Sequence, residues 1–352
     1  MKFAVTGGPG FLGRRLVKAL LARGADICCL VRPSSDIKDF GQAIAVETGS
    51  PPEIRISNLS DVGACAAALA GCEVLYHLAA ELRGATSVLF LNNVVATRRL
   101  LEAARKAGVR RVVLVSSMAV YGTGHLSPGD LLDESCPLEP EPHRRDPYSY
   151  SKIAQEEVAW QAYRSGAISL VVLRPGVIFG PGRDCISGRV GLRIGKLLVR
   201  MGGSQQLPYV FVDNCADGVL RAGTAPGIEG QCFNLVDDGL PTGRELLAQY
   251  RTMVGKMRSV AVPNWTIGPL SGLCEWYHKR SRGQLPAILT RYKSAAQWKP
   301  LRYSNARAKA ALEWKAETSF SEGLLQTLTW LREHQAAQRT PAFSPCRNHG
   351  TK

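Results

Sequence analysis

Apolar and polar positions alternate along the chain with two different periods. Residues 2–6 form a short apolar run, Gly7-Gly8-Pro9-Gly10-Phe11-Leu12-Gly13 follows, and Leu16, Val17, Leu20 and Leu21 then recur at helical spacing. The pattern predicts a strand, a glycine turn and a helix. Gly24 ends that helix, and residues 27–31, apolar on both faces, predict a buried strand of a parallel sheet. Further helices are predicted at 64–69, 94–107 and 149–164, and further strands at 74–78, 112–116 and 169–173. Such alternation implies right-handed crossovers and a doubly wound parallel sheet, a Rossmann-type α/β fold. Residues 122–147, rich in Pro, Gly and acids, predict a long loop over one edge of the sheet, and loops of this length are often functional. After Arg174 the regularity weakens: short strands are predicted at 209–212 and 233–236, and mainly helix over 240–335. The expected organisation is an α/β domain over 1–173, its sheet completed by strands within 209–236, a smaller helical lobe over 174–335, and a disordered tail over 336–352.

Composition narrows the class. With 352 residues, 45% of them hydrophobic and 21% charged, the chain is that of an ordinary soluble globular protein, which excludes a disordered, collagen-like or disulfide-scaffold chain. The net charge of +15 is regional. From Arg251 to the end, 17 basic residues face 5 acidic ones, so the last 102 residues carry +12 and the first 250 only +3. A basic lobe suits an anionic partner, either a phosphorylated substrate, an acidic membrane surface or nucleic acid; a plain solvated surface is the alternative. No recognised nucleic-acid module accompanies the charge, so nucleic acid is not an expected partner. The ten cysteines lack paired spacing, and Cys28 and Cys29 lie inside an apolar run, so reduced thiols in a cytoplasmic protein are expected. A structural strand starting at Lys2 leaves no room for a signal peptide, and no run approaches the ~20 apolar residues needed to cross a bilayer.

Three groups of residues suggest chemistry. Gly7, Gly10 and Gly13 stand three apart between a strand and a helix start, where free N–H groups and the positive end of the helix dipole face a pyrophosphate and missing Cβ atoms let backbone approach it. Phe11 and Leu12 belong to the same turn, and the motif in its strand–turn–helix context predicts dinucleotide binding. An acid that would accept from the ribose hydroxyls normally ends the second strand; this chain reads Leu30-Val31-Arg32-Pro33-Ser34-Ser35 there. An Arg followed by hydroxyls suits a 2′-phosphate, so NADP(H) is preferred over NAD(H).

Tyr148 and Lys152, four apart, share one face of a predicted helix. An ammonium near a phenol lowers its pKa from ~10 and makes Tyr a workable acid/base for an alcohol or ketone. Ser116 and Ser117, at the end of an apolar strand, could donate to the substrate oxygen while charge develops there. His77 has no acidic or thiol partner at ligand spacing, so a packed position is expected and no metal site. His143-Arg144-Arg145 could meet an anionic substrate or lie solvated. Residues 265–277, aromatic and apolar and flanked by Lys279, Arg280 and Arg282, could lie on an anionic membrane; because Pro269 and Gly272 interrupt the segment, a helical lid on the pocket is favoured.

At these residues the chain resembles the extended short-chain dehydrogenase/reductases, the NAD-dependent epimerase/dehydratase superfamily, over about residues 1–335. The matching segments are Thr6 to Gly13, His77-Leu78-Ala79-Ala80, Asn93 to Thr97, Ser116 to Gly122, Tyr148 to Lys152, and Arg174-Pro175-Gly176. The resemblance implies that Ser117 and Tyr148 are catalytic, that Lys152 also holds the nicotinamide ribose, and that Asn93, Ser116, Pro175 and the backbone of Ala79 and Ala80 lie along the cofactor. The adenine-facing acid of the family's Asp-Leu pair is Asn58 here, before Leu59, and a carboxamide oxygen can still accept from an adenine amino group. Sugar-nucleotide members commonly read Arg-Tyr-Phe-Asn where this chain reads Arg174-Pro175-Gly176-Val177. Arg-Pro-Gly, then Phe179-Gly180-Pro181-Gly182 and Val212-Asp213-Asn214, looks more like the 3β-hydroxysteroid dehydrogenase and dihydroflavonol reductase branch. The expected function is therefore hydride transfer between NADP(H) and a secondary alcohol or ketone on a small, hydrophobic substrate. A nucleoside-diphosphate-sugar epimerase or dehydratase is the alternative, and dimerisation through two helices of the Rossmann domain is implied by the resemblance alone.

Overall fold

The computed structural model describes residues 1–339 apart from 36, 38, 196, 202–204 and 282–288. The tail expected to be disordered lies almost entirely outside the described residues, as does Arg282.

Seven strands make the central sheet: β1 (Lys2–Thr6), β2 (Asp26–Val31), β3 (Glu53–Ile56), β4 (Val74–His77), β5 (Arg111–Val115), β6 (Leu170–Pro175) and β7 (Gln231–Leu235). They are parallel throughout, in the order β3-β2-β1-β4-β5-β6-β7. The order reverses beside β1, and in open α/β sheets ligands bind at the carboxyl ends of the strands around that reversal. Alternate side chains of each strand serve two cores. Ala4, Cys28, Leu75, Val112 and Val172 face α3 (Val62–Leu69), α4 (a continuous helical run over 86–106) and α5 (Pro147–Arg164). Phe3, Val5, Cys29, Tyr76 and Leu173 face α1 (Phe11–Leu21), α2 (Phe40–Thr48) and α6 (Val212–Thr224). The two-sided burial explains why the strands read as unbroken apolar runs.

Several elements were not visible in the hydrophobic pattern. α2, β3 and α6 were missed, the first two because they are short and half exposed at the edge of the sheet. The strand Tyr209–Phe211 does not join the main sheet but pairs with Val177–Phe179, and β7 alone supplies the predicted completion. The smaller lobe carries a three-stranded sheet of Gly191–Ile194, Leu197–Arg200 and Arg258–Ala261, together with α7 (Gly243–Met253), α8 (Asn264–Arg280) and α9 (Arg291–Trp298).

The acidic loop over 122–147 is not free. Lys299 Nζ donates to the carbonyls of Thr123 and Leu126 at 2.6 and 2.7 Å, and Leu131–Leu132 pairs with Arg302–Tyr303. Tyr292 of α9 hydrogen-bonds Glu139, which also accepts from buried Arg145 at 3.2 Å. The loop is therefore a strap stitched to the smaller lobe, and of His143-Arg144-Arg145, Arg145 is spent on it and Arg144 stacks on the Tyr292 ring at 4.0 Å. α8 runs unbroken through Pro269 and Gly272. Trp265, Leu273 and Trp276 of this helix point outward into solvent. The nine described cysteines are all free, and no described helix is long and apolar enough to cross a membrane.

Candidate active site

The chain's local chemistry fixes where α5 begins. Asp146 caps it, its carboxylate accepting from Ser149 N at 3.0 Å, and Pro147 stands at the first helical position, where its missing N–H costs nothing. Tyr148 is thereby held in the first turn, beside the carboxyl end of β5. Ser117, extended at φ −162°, follows β5 and stands beside Tyr148, while its Oγ accepts from Ala119 N at 3.2 Å. Enclosure raises the Tyr148 pKa above that of an ordinary phenol; the nearby Ser117 hydroxyl and the positive charge of Arg183 work in the opposite direction.

Lys152 lies one turn along α5 and is completely buried. Its Nζ donates to Val115 O at 2.8 Å and to Gln155 Oε1 at 2.5 Å. Burial pulls its pKa down to about 8, against the charge of Glu156. The positive charge of Arg183 favours the ionised form of the Tyr148 phenol. Arg183 was not singled out in the sequence. It sits half-buried in the loop after Phe179-Gly180-Pro181-Gly182, with its guanidinium 5.0 Å from the centre of the Phe11 ring, and nothing in the local pattern distinguishes it from a solvated Arg.

Ser116 is committed elsewhere. Its Oγ donates to Glu156 Oε2 at 2.5 Å, and the same carboxylate is paired with Arg174, whose guanidinium also lies 4.6 Å from the centre of the Tyr121 ring. That engagement turns the Ser116 hydroxyl toward Glu156, whereas Ser117 stands beside Tyr148. Pro175, at the end of β6, is buried and pairs with Leu235 of β7. His77 is buried between Thr6 Oγ1 at 2.7 Å and Thr97 Oγ1 at 2.8 Å. Burial and the Lys152 charge push its pKa down to about 3, so it is a neutral packed group. Among the described residues no cluster of three metal-ligating side chains exists.

The glycine turn has the shape of a dinucleotide cradle. Gly7 has φ +74°, open to glycine, and a Cβ there would stand 2.8 Å from Ala79 N. A Cβ on Gly13 would stand 2.0 Å from Gly7 O. α1 starts after Gly10 with no side-chain cap and no acid in its first turn, which includes Phe11 and Leu12, so its N–H groups are left to an anion. Ala79 and Ala80 follow β4 beside this turn, with Ala79 N donating to Thr6 Oγ1 at 3.3 Å. Arg32 is exposed at the end of β2, where Ser35 N closes a turn on its carbonyl at 2.9 Å. The glycine turn and the uncapped start of α1 fit the phosphates of a dinucleotide.

Of the residues expected along the cofactor, Asn93 and Leu59 are buried. Asn93 is fully buried, its amide accepting from Glu81 N at 2.7 Å and donating to Glu81 O and Ser151 Oγ, both at 2.9 Å. It ties the loop after β4 to α5 and so positions both. Asn58 is exposed, but its carboxamide oxygen accepts from Ser60 N at 3.1 Å, while Leu59 beside it is buried.

Comparison with known proteins agrees with this geometry. The model of the NAD dependent epimerase/dehydratase family matches residues 3–235. The 2-alkyl-3-oxoalkanoate reductase of Stenotrophomonas maltophilia is 30% identical, covering 92% of this chain and 97% of its own. The UDP-glucose 4-epimerase of Mycolicibacterium smegmatis is 31% identical, covering 94% and 99%. The crystal structure of gox2253 superposes with a TM-score of 0.76 at 25% identity, over 94% of this chain and 98% of that one.

Proposed function

The chain belongs to the NAD dependent epimerase/dehydratase family, and from that membership we propose that it is an NADP(H)-preferring oxidoreductase interconverting a secondary alcohol and a ketone on a hydrophobic skeleton. The observation that carries the reading is the placement of Ser117 beside Tyr148 at the carboxyl edge of the sheet, next to the glycine cradle of α1. The nicotinamide would give or take a hydride at its C4. Tyr148 exchanges the proton of the substrate oxygen, and Ser117 donates a hydrogen bond that holds that oxygen in line. Arg183 stabilises the phenolate, and Lys152, with its pKa near 8, holds a mobile positive charge one turn beneath. Strap and smaller lobe are joined through Glu139, Tyr292 and Lys299.

Two features support the hydrophobic substrate and the phosphorylated cofactor. Where sugar-nucleotide members have Asn, this chain has Val177, half-buried in a strand paired with Tyr209–Phe211, and a Val offers a phosphate nothing. Arg32 with Ser34 and Ser35 at the end of β2 favours a 2′-phosphate. The similarity to a 2-alkyl-3-oxoalkanoate reductase is in keeping with a ketone beside alkyl chains. Free cysteines support a cytoplasmic setting, and the family resemblance supports a homodimer.

The second reading, a nucleoside-diphosphate-sugar epimerase, draws on the 31% identity to a UDP-glucose 4-epimerase and on the +12 charge of the last 102 residues. Denaturing the freshly purified protein and identifying the released nucleotide separates the two. Little nucleotide, or NADP(H), is expected from an exchangeable cosubstrate. Near-stoichiometric NAD would overturn the reductase reading, because an epimerase retains its cofactor through the cycle.

A further inference from the structure

α8 is amphipathic in the inverted sense. Its inward face carries Ile267, packed with Met201 and Trp298, and Ser271, whose hydroxyl meets that of Ser294 of α9 at 2.8 Å. Glu275, the helix's one carboxylate, accepts from Arg291 N at 2.8 Å. The opposite face is apolar and, among the described residues, uncovered. Trp265 is 79% exposed, Trp276 60%, Leu273 59% and Tyr277 53%, with Leu270 beside them. At 100° per residue, positions 265, 269, 273, 276 and 280 fall on one stripe, so the face reads Trp, Pro, Leu, Trp and Arg along its length.

Water is a poor environment for such a stripe. Isolated exposed apolar residues need no explanation, but a contiguous aromatic and aliphatic face on one helix marks a partner. Charge says which kind. Lys279 and Arg280 close the helix, and the Arg291 guanidinium lies against it so closely that a Cβ on Gly272 would stand 2.6 Å from its Nη2. These cations flank the apolar stripe in a lobe that carries most of the chain's positive charge, while no acid lies on the outward face. Trp and Tyr rings favour the level of lipid headgroups, and basic side chains beside them pair with anionic lipids. At 17 residues the helix is about 25 Å long at ~1.5 Å per residue, too short and too charged at its end to span a bilayer but long enough to lie along one.

We propose that α8 seats the protein on an anionic lipid surface, lying parallel to it with Trp265, Leu273, Trp276 and Tyr277 in the headgroup–acyl boundary and Lys279, Arg280 and Arg291 against anionic headgroups. The inference does not depend on which substrate the active site takes.

The test is co-sedimentation of the full-length protein with vesicles of phosphatidylcholine containing phosphatidylglycerol, and with vesicles of phosphatidylcholine alone. The protein should pellet with the anionic vesicles, should be released as salt is raised, and should show a blue shift of tryptophan emission on binding. Trp265→Ser, Leu273→Ser and Trp276→Ser together should abolish pelleting while NADPH binding, measured by its fluorescence, stays unchanged. Lys279→Glu with Arg280→Glu should remove the preference for anionic vesicles. Failure to pellet with either vesicle would overturn the proposal, as would equal binding to both. A wild-type dimer that the triple variant converts to monomer, without vesicle binding, would show instead that a second copy covers this face.

Discussion

Ser116 and Glu156 are joined by a 2.5 Å hydrogen bond in the interior, and that bond separates two adjacent serines into different jobs. Ser116 belongs to a buried network with Glu156 and Arg174, beneath the Tyr121 ring; Ser117 faces Tyr148. The network braces the floor of the site from β6 to α5, and it sets the charge environment of Lys152, whose ammonium Glu156 favours.

Glu156→Gln leaves the Arg174 guanidinium buried without a counter-charge. Removing one member of a buried pair costs about 3–5 kcal/mol, so the midpoint of urea unfolding should fall accordingly. A loss below ~1 kcal/mol would mean that the pair does not hold the floor of the site.

Tyr148→Phe removes the hydroxyl that exchanges a proton and leaves the ring in place. Turnover should drop by ~10²–10⁴-fold, the usual worth of a positioned acid/base, with NADPH affinity nearly unchanged. Retained turnover would remove Tyr148 from the mechanism.

Arg183→Met takes away the positive charge that lowers the Tyr148 pKa. The phenol should then titrate higher, so the limb of the kcat/KM profile that reports its ionisation should move to more alkaline pH. An unmoved limb would show that Arg183 does not act on the phenol, and Lys152 would become the candidate.

Cofactor recognition divides into two variants. Gly13→Ala drives a Cβ to 2.0 Å from Gly7 O and should abolish binding of NADPH and NADH alike. Arg32→Gln should weaken NADPH roughly tenfold or more, the worth of a charge-assisted hydrogen bond, while sparing NADH. Equal weakening of both would mean that Arg32 does not meet a 2′-phosphate.

Asp237 gives a pH dependence to folding. Burial raises its carboxyl from 3.8 to about 7, although Asn214 Nδ2 and Phe211 N both donate to it, at 2.9 and 2.7 Å. The folded chain therefore binds a proton that the unfolded chain has released between those pH values. Its stabilising contribution is complete below pH ~4 and is lost as pH rises through about 7. Asp237→Asn should cost ~1 kcal/mol at acidic pH and flatten that part of the pH profile of thermal unfolding. A persisting slope would assign it to another group.

The sequence by itself determined the parallel sheet and the glycine turn. Each is written in neighbouring residues: strands buried on both faces are apolar throughout, and Gly7 and Gly13 exclude side chains. The helix carrying Tyr148 was expected from 149 and begins at Pro147, capped by Asp146. Tertiary structure alone decided the rest of the site. Arg183 acts by its charge on Tyr148 from 35 positions away, Glu156 meets Ser116 from 40, and Tyr292 reaches Glu139 from 153. The same holds for α8, where periodicity revealed an apolar stripe but only packing could say which face is covered. Charges and hydroxyls carry no periodic signature, so a residue's partner becomes known only when folding brings distant segments to one place.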